Sequence, residues 1–140
     1  MKNDYTYEMY FQGKKIIIRI LNYEKKGLFN NEISFRLSLS CCDVNKKGHE
    51  CYATVYTEIK QIDKSDKKIF YEDCKSPKEV YMTDKEIFLN NNIKGKEKLR
   101  LRIDFSNLES EYDDKGNYYP EYKDATLYIK LRKKPEFIEV

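Results

Sequence analysis

The stretch LRLRIDF, residues 99–105, decides the fold prediction, because apolar and polar residues alternate along it without interruption. Successive side chains of a β-strand point to opposite faces, so this alternation gives one apolar and one polar face. An α-helix, with 3.6 residues per turn, would scatter the same side chains around its axis. The stretch therefore predicts a strand with one buried face. The apolar face would carry Leu99, Leu101, Ile103 and Phe105, and the polar face Arg100, Arg102 and Asp104.

The same alternation occurs elsewhere along the chain. It is clear in ISFRLSL, residues 33–39, and in ATLYIKL, residues 125–131. Further strands are predicted from Lys15 to Leu21, from Tyr52 to Ile62 and around Glu79 to Met82. The second of these would turn four side chains inward, namely Ala53, Val55, Thr57 and Ile59. The segment TDKEIFLN, residues 83–90, fits either a short helix or one more strand.

Clusters of glycine, asparagine, aspartate and lysine separate these segments. Examples are YEKKGLFNN (23–31), DVNKKGH (43–49) and NNNIKGKEK (90–98). Such residues tolerate turn conformations and remain solvated, so they predict connections between strands. Six or more short strands joined in this way predict a mainly β fold, an antiparallel β-sandwich or barrel with at most one or two short helices. The length of 140 residues fits a single domain, residues 1–140.

Composition narrows the class of protein further. The chain is 40% hydrophobic and 36% charged, with a net charge of +3, which is typical of a soluble globular protein. No apolar run approaches the roughly 18–20 residues that cross a bilayer, and the start MKNDYTYEMYFQ lacks the features of a signal peptide. We therefore expect a cytoplasmic location and no membrane partner.

The sequence carries no recognisable catalytic arrangement. His49 is the only histidine, and it stands in a lysine-rich turn segment. Neither a GxGxxG nor a GxxxxGK[ST] motif occurs, so no phosphate-binding loop of known type is present. We expect a protein that is not an enzyme and that has no cofactor and no small-molecule substrate.

The four cysteines raise the question of a metal site. Structural zinc sites usually use two Cys-x-x-Cys pairs, but Cys41 and Cys42 are adjacent and would point to opposite faces of a strand. Disulfides are disfavoured in a reducing compartment. We therefore predict that the cysteines are buried or unreactive thiols and that no metal is bound. A zinc set drawn from other spacings stays open, and it would comprise Cys42, His49, Cys51 and Cys74.

The order of these features resembles the eukaryotic CXXC motif containing zinc binding protein family, over residues 14–134. The matching segments are KKIIIRILNYEKKGLF (14–29), ISFRLSLSCC (33–42), IFYEDCKSPKEVYM (69–82), KLRLRIDFSNLESEY (98–112) and YKDATLYIKL (122–131). In this resemblance Cys41 or Cys42, together with Cys74, fall on the ligand positions of the family. Ser76 and Pro77 stand where the last ligand belongs, which implies a degenerate zinc site.

The chain resembles a compact version of this family that is rich in lysine, asparagine and tyrosine. In this respect it is similar to microsporidian dormancy factors that bind ribosomes. The resemblance implies a non-enzymatic dormancy (hibernation) factor that occupies the tRNA exit site, inhibits translation and contacts rRNA and ribosomal proteins. Lysines would reach phosphates and tyrosines would stack on unpaired bases. The candidates are Lys25, Lys26, Lys46, Lys47, Lys94, Lys96, Tyr112, Tyr118 and Tyr119. The alternative is a β-sandwich protein-interaction adaptor that recognises a peptide or protein partner.

Overall fold

A computed structural model describes residues 2–11, 14–27, 31–41, 51–62, 69–73, 78–81, 86–92, 97–107, 115–116 and 125–140. These residues form ten strands and contain no helix. The strands are β1 (Asn3–Phe11), β2 (Lys14–Lys26), β3 (Glu32–Cys41), β4 (Cys51–Ile62), β5 (Ile69–Asp73), β6 (Lys78–Tyr81), β7 (Glu86–Asn92), β8 (Lys98–Asn107), β9 (Ala125–Leu131) and β10 (Pro135–Glu139).

The strands form two antiparallel sheets. The first has four strands in the order β1-β2-β3-β7. The second has six strands, in the order β10-β9-β8-β4-β5, with β6 paired to the other half of the same β4 edge as β5. The chain passes between the sheets three times, from β3 to β4, from β6 to β7 and from β7 to β8. This topology confirms the predicted mainly β, antiparallel fold.

The core lies between the two sheets and takes alternate residues from each strand. From the six-stranded sheet, the predicted inward set of β8 is buried, with Leu101, Ile103 and Phe105 fully inaccessible to solvent. From the four-stranded sheet, Ile16, Ile18 and Ile20 of β2 are equally buried. Aromatic rings cross the interface, as Phe11 lies 6.2 Å from Phe105 and Tyr7 stacks on Phe137 at 4.7 Å between ring centroids. The sheets therefore pack face to face as a sandwich.

The pattern of alternation located most predicted strands correctly. In β4, Ala53, Val55 and Thr57 are buried and Ile59 packs against the core, as predicted. The ambiguous segment TDKEIFLN forms strand β7 from Glu86 onward and not a helix.

Three strands were not predicted, and two predictions of turns were wrong in part, since residues 90–92 of the segment NNNIKGKEK belong to β7. Strand β1 lies in the N-terminal segment, while β5 and β10 are only 5 residues long. The segment from Tyr23 to Lys26 continues β2, where a turn was expected, because the buried Tyr23 ring contacts Tyr5 and Phe35. The connection begins at Gly27, whose φ of +100° is a conformation that other residues rarely adopt.

Candidate nucleic-acid interface

Several cationic side chains meet at one end of the sandwich, where strands of both sheets terminate. Lys60 near the end of β4 is the direct cross-strand partner of Lys98, which begins β8. In the next strand, Leu131 of β9 is the partner of Leu99, so Lys130 and Arg132 lie at the same end of the sheet. The alternation turns both leucines inward and places Lys60, Lys98 and Lys130 on the outer face of the six-stranded sheet, the face that also carries Arg100.

The opposite sheet contributes Lys25 to this end. Lys25 of β2 pairs with Ile33, which is fully buried. Directly paired residues of an antiparallel ladder place their side chains on the same face, so Lys25 extends from the inner face of the four-stranded sheet. Both sheets therefore contribute cations to this end of the sandwich, Lys25 from an inner face and Lys60, Lys98 and Lys130 from an outer face.

These side chains surround a cavity of about 250 Å³, called the end cavity below. Its two leucines are buried and form an apolar floor. Five of its lining residues are cationic and one is anionic, and a second carboxylate, that of Glu136, lies 3.6 Å from Nη1 of Arg132, so positive charge is still in excess. The lining residues are Lys25, Lys60, Glu97, Lys98, Leu99, Lys130, Leu131 and Arg132.

Burial and neighbouring cations raise the energy of the charged form of Lys60. Partial burial lowers the pKa of the Lys60 ammonium, and the positive charges of Lys98, Lys130, Arg132 and Arg100 lower it further. Burial alone lowers the pKa of Lys25. An anion in the cavity would oppose both effects, because a nearby negative charge favours the ammonium form.

Next to the end cavity, the outer face of the six-stranded sheet alternates arginine and tyrosine. The guanidinium carbon of Arg100 lies 4.1 Å from the ring centroid of Tyr128, and that of Arg102 lies 3.9 Å from the ring of Tyr56. Both distances are well within the range of a cation–π contact. Each guanidinium plane is therefore held close to an aromatic ring of a neighbouring strand.

Glu58 of β4 joins the two arginines. Its carboxylate accepts a hydrogen bond of 2.8 Å from Nε of Arg100 and a longer one of 3.4 Å from Nη1 of Arg102. The Glu58 side chain is 6% exposed, against 18% and 24% for the two arginines. Asp104, which lies 3.6 Å from Nε of Arg102, accepts a 2.8 Å hydrogen bond from Thr126. The outer face is thus a connected and ordered polar surface.

The structure places two of the nine residues proposed from sequence. Lys25 lines the end cavity, on a strand rather than in the loop that was expected. Lys26, also on β2, lies 3.8 Å from the carboxylate of Glu32 and lines a different cavity, on the outer face of the four-stranded sheet. The other candidates, Lys46, Lys47, Lys94, Lys96, Tyr112, Tyr118 and Tyr119, lie outside the described residues.

The binding residues predicted from the sequence did not include the other cations of the end cavity. Lys60, Lys98 and Lys130 each stand near a strand terminus, in the segments EIKQ, KEKLR and IKLRKK. A search for lysines at strand ends would have found them, but their convergence depends on the pairing register.

The alternative zinc set of Cys42, His49, Cys51 and Cys74 falls mostly outside the described residues. Cys42, His49 and Cys74 lie outside them, and only the backbone of Cys51 is described, at the start of β4. Within the described part of the chain, no group of three or more His, Cys, Asp or Glu side chains is arranged to hold a metal ion. In the same part, no helix is long and apolar enough to cross a membrane.

Comparisons with protein families, with curated proteins and with solved structures find no match to this chain.

Proposed function

We propose that this protein is a non-enzymatic, ribosome-bound dormancy factor that contacts rRNA and inhibits translation. The observation that supports the proposal is the end cavity, where five cationic residues from two sheets outnumber the carboxylates of Glu97 and Glu136. The net charge of the whole chain is only +3, so a large part of its excess positive charge is concentrated in one place. Such concentration favours a polyanionic partner over a neutral one.

The adjoining arginine–tyrosine surface suits the stacking of RNA bases, the second component of RNA recognition besides phosphate binding. Unpaired RNA bases stack on aromatic rings and on guanidinium planes, without a requirement for base identity. Arg100 and Arg102 lie against the rings of Tyr128 and Tyr56 on this face, and their side chains remain 18% and 24% exposed. Phosphates would bind at the end cavity while bases stack on the neighbouring face.

The finer part of the proposal, occupancy of the tRNA exit site, rests on the family resemblance of residues 14–134. That site holds the unpaired acceptor end of a deacylated tRNA, which is a single strand. A rigid sandwich with a cationic end and a stacking surface offers complementary chemistry to the rRNA that surrounds such a strand. Occupancy without turnover would block translation by exclusion.

Co-sedimentation with ribosomes at increasing salt tests the proposal. If about four phosphates are contacted, each with a slope of about 0.7, binding falls roughly 50-fold between 50 and 200 mM salt. The double variant K60Q/K130Q removes two cations of the end cavity and should reduce the slope by about 1.4. The matched control K133Q/K134Q removes two exposed charges of the β9–β10 turn, which do not line the cavity.

The proposal fails if the protein stays at the top of the gradient at low salt. It also fails if the cavity variant and the turn variant bind ribosomes equally, because the site would then make no contribution.

One observation favours the second candidate, a protein-interaction adaptor. Within the described residues β7 pairs with β3 alone, and its Phe88 is 60% exposed. An extended peptide can add to such an edge by backbone hydrogen bonds and seat a side chain against an exposed ring. Recovery of one abundant non-ribosomal partner, lost in Phe88→Lys but kept in K60Q/K130Q, would favour this function over ribosome binding.

A further inference from the structure

We infer that strand β7 is the interface of a homodimer, in which the β7 strands of two copies of the chain pair in antiparallel orientation across a two-fold axis. The two four-stranded sheets would then join into one continuous sheet of eight strands. The inference goes beyond the function proposed above, because it concerns how two copies meet and not what they bind.

Strand β7 lies at an edge of its sheet. Within the described residues it pairs with β3 alone, in an unbroken register from Asn92 opposite Glu32 to Glu86 opposite Ser38. A strand that is paired on one side presents a row of backbone N–H and C=O groups on its other side, which another strand can use. All 7 residues of β7 are therefore available to one more strand.

The edges β1 and β10 carry protection against such pairing. Edge strands usually discourage further pairing by means of charged side chains or proline. Strand β1 carries the exposed side chains of Asp4 and Glu8. Strand β10 begins with Pro135, which has no backbone N–H, and carries the exposed side chains of Glu136 and Glu139.

Strand β7 lacks these devices over most of its length. Its one charged residue is Glu86, at the first position, and the carboxylate of Glu86 lies 3.2 Å from Nη1 of Arg36 on the neighbouring strand. The six residues that follow, IFLNNN, include neither a charge nor a proline. By contrast, the short strands β5 (IFYED) and β6 (KEVY) each contain two charged residues. Among the edge strands described, β7 is thus the one least protected against pairing.

The sequence of β7 is complementary to itself in antiparallel orientation. A pairing centred on Leu89 uses the whole strand and places Glu86 of each copy opposite Asn92 of the other. The two carboxylates then lie at opposite ends of the ladder, so they do not repel each other. Pairing of β7 with β1 of another copy would instead meet the charges of that edge, and such a head-to-tail contact would not close into a dimer.

The exposed ring of Phe88 adds an apolar contact to this pairing. Phe88 is 60% exposed and lies opposite Arg36, on the outer face of the four-stranded sheet. In the pairing centred on Leu89, Phe88 of one copy is the direct neighbour of Asn90 of the other copy, so the two Phe88 residues are diagonal neighbours. Diagonal neighbours lie about 7–8 Å apart, a distance that aromatic side chains can span. The dimer would shield from water two rings that each copy alone exposes.

Sedimentation velocity of the full chain, with a reducing agent present to exclude disulfides, tests the inference. Two strands of 7 residues form a smaller contact than the about 20–30 residues a side of a standard interface, so dimerisation should require roughly 10–100 µM protein. Phe88→Lys and Phe88→Glu each bring like charges together near the axis, and each should weaken the dimer about 10-fold. An equimolar mixture of the two variants should restore dimerisation, because opposite charges then meet. The matched control Tyr10→Glu alters a ring that is 71% exposed on β1, and it should dimerise as the unaltered protein does.

Circular dichroism of each variant verifies that the fold is retained. A mass of one chain at every concentration would overturn the inference, leave the ribosomal proposal intact and leave β7 to the peptide partner considered above. A dimer equally strong in Phe88→Glu and in Tyr10→Glu would place the interface elsewhere and overturn the inference. Failure of the mixed variants to restore the dimer would refute the pairing of β7 with itself.

Discussion

Replacement of Glu58 by glutamine should destabilise the protein more than loss of any surface ion pair. Glu58 is almost fully buried on the outer face of the six-stranded sheet, where it bonds to Arg100 and Arg102. Glutamine has nearly the same shape but no charge, so the substitution leaves two guanidinium groups with reduced compensation. The expected loss follows from the electrostatics and not from a change in packing.

The magnitude depends on how well water reaches the two arginines. Removal of one partner of a fully buried ion pair costs about 3–5 kcal/mol. Because the arginines are 18% and 24% exposed, water compensates part of the loss, and we expect the lower end, about 3 kcal/mol. For a chain of 140 residues this corresponds to a decrease in Tm of about 10 °C.

Urea denaturation followed by circular dichroism measures this change, since urea does not screen charges as guanidinium chloride does. The matched control is Glu86→Gln, which removes the partner of Arg36 on the other sheet, a 3.2 Å pair whose side chains are 39% and 56% exposed. An exposed pair of this kind contributes at most about 1 kcal/mol. A Glu58→Gln variant no less stable than the control would refute the electrostatic role of Glu58.

Three further variants test other parts of the structure. Burial raises the pKa of Tyr23, so its contribution to stability is complete below pH 10 and is lost at higher pH. Tyr23→Phe should be less stable than the unaltered protein by about 1 kcal/mol at neutral pH, because it loses the hydrogen bond to the carbonyl oxygen of Arg132. In urea titrations above pH 10, the stability of the variant should fall less steeply with pH than that of the unaltered protein, by about 1.4 kcal/mol per pH unit. Leu101→Ala should cost about 2–5 kcal/mol by urea denaturation, against about 0.5 kcal/mol for exposed Phe88→Ala; similar costs would contradict the assigned core. Gly27→Ala should lower stability by about 1–2 kcal/mol, because φ is +100°, and an unchanged Tm would refute that conformation.

Variants at Glu58 and at the end cavity should have opposite effects on RNA binding and on stability. Glu58→Gln removes a negative charge beside Arg100, so it should strengthen RNA binding while it weakens the fold. A cavity variant such as K60Q/K130Q should weaken RNA binding and relieve repulsion at the strand ends. Comparison of the two variants separates loss of binding from loss of structure.

The sequence by itself determined most of the strands and the direction of their faces. The alternation in residues 99–105 specified that Leu101 and Ile103 are buried, because a pleated strand has a period of two whatever its neighbours are. The short strands β5 and β10 escaped prediction, because 5 residues give too few alternations to distinguish them from loops. In the same way, Lys25 could be singled out as a cation but not as part of a cavity.

Tertiary structure alone decided which residues meet. Lys25, Lys60, Lys98 and Lys130 are distant in sequence, and their convergence depends on sheet order and register. A shift of one residue in the pairing of β8 would turn its basic side chains into the core, so the register follows from burial of the apolar face. That burial is a property of the packed sheets, which is why the site could not be read from any single segment.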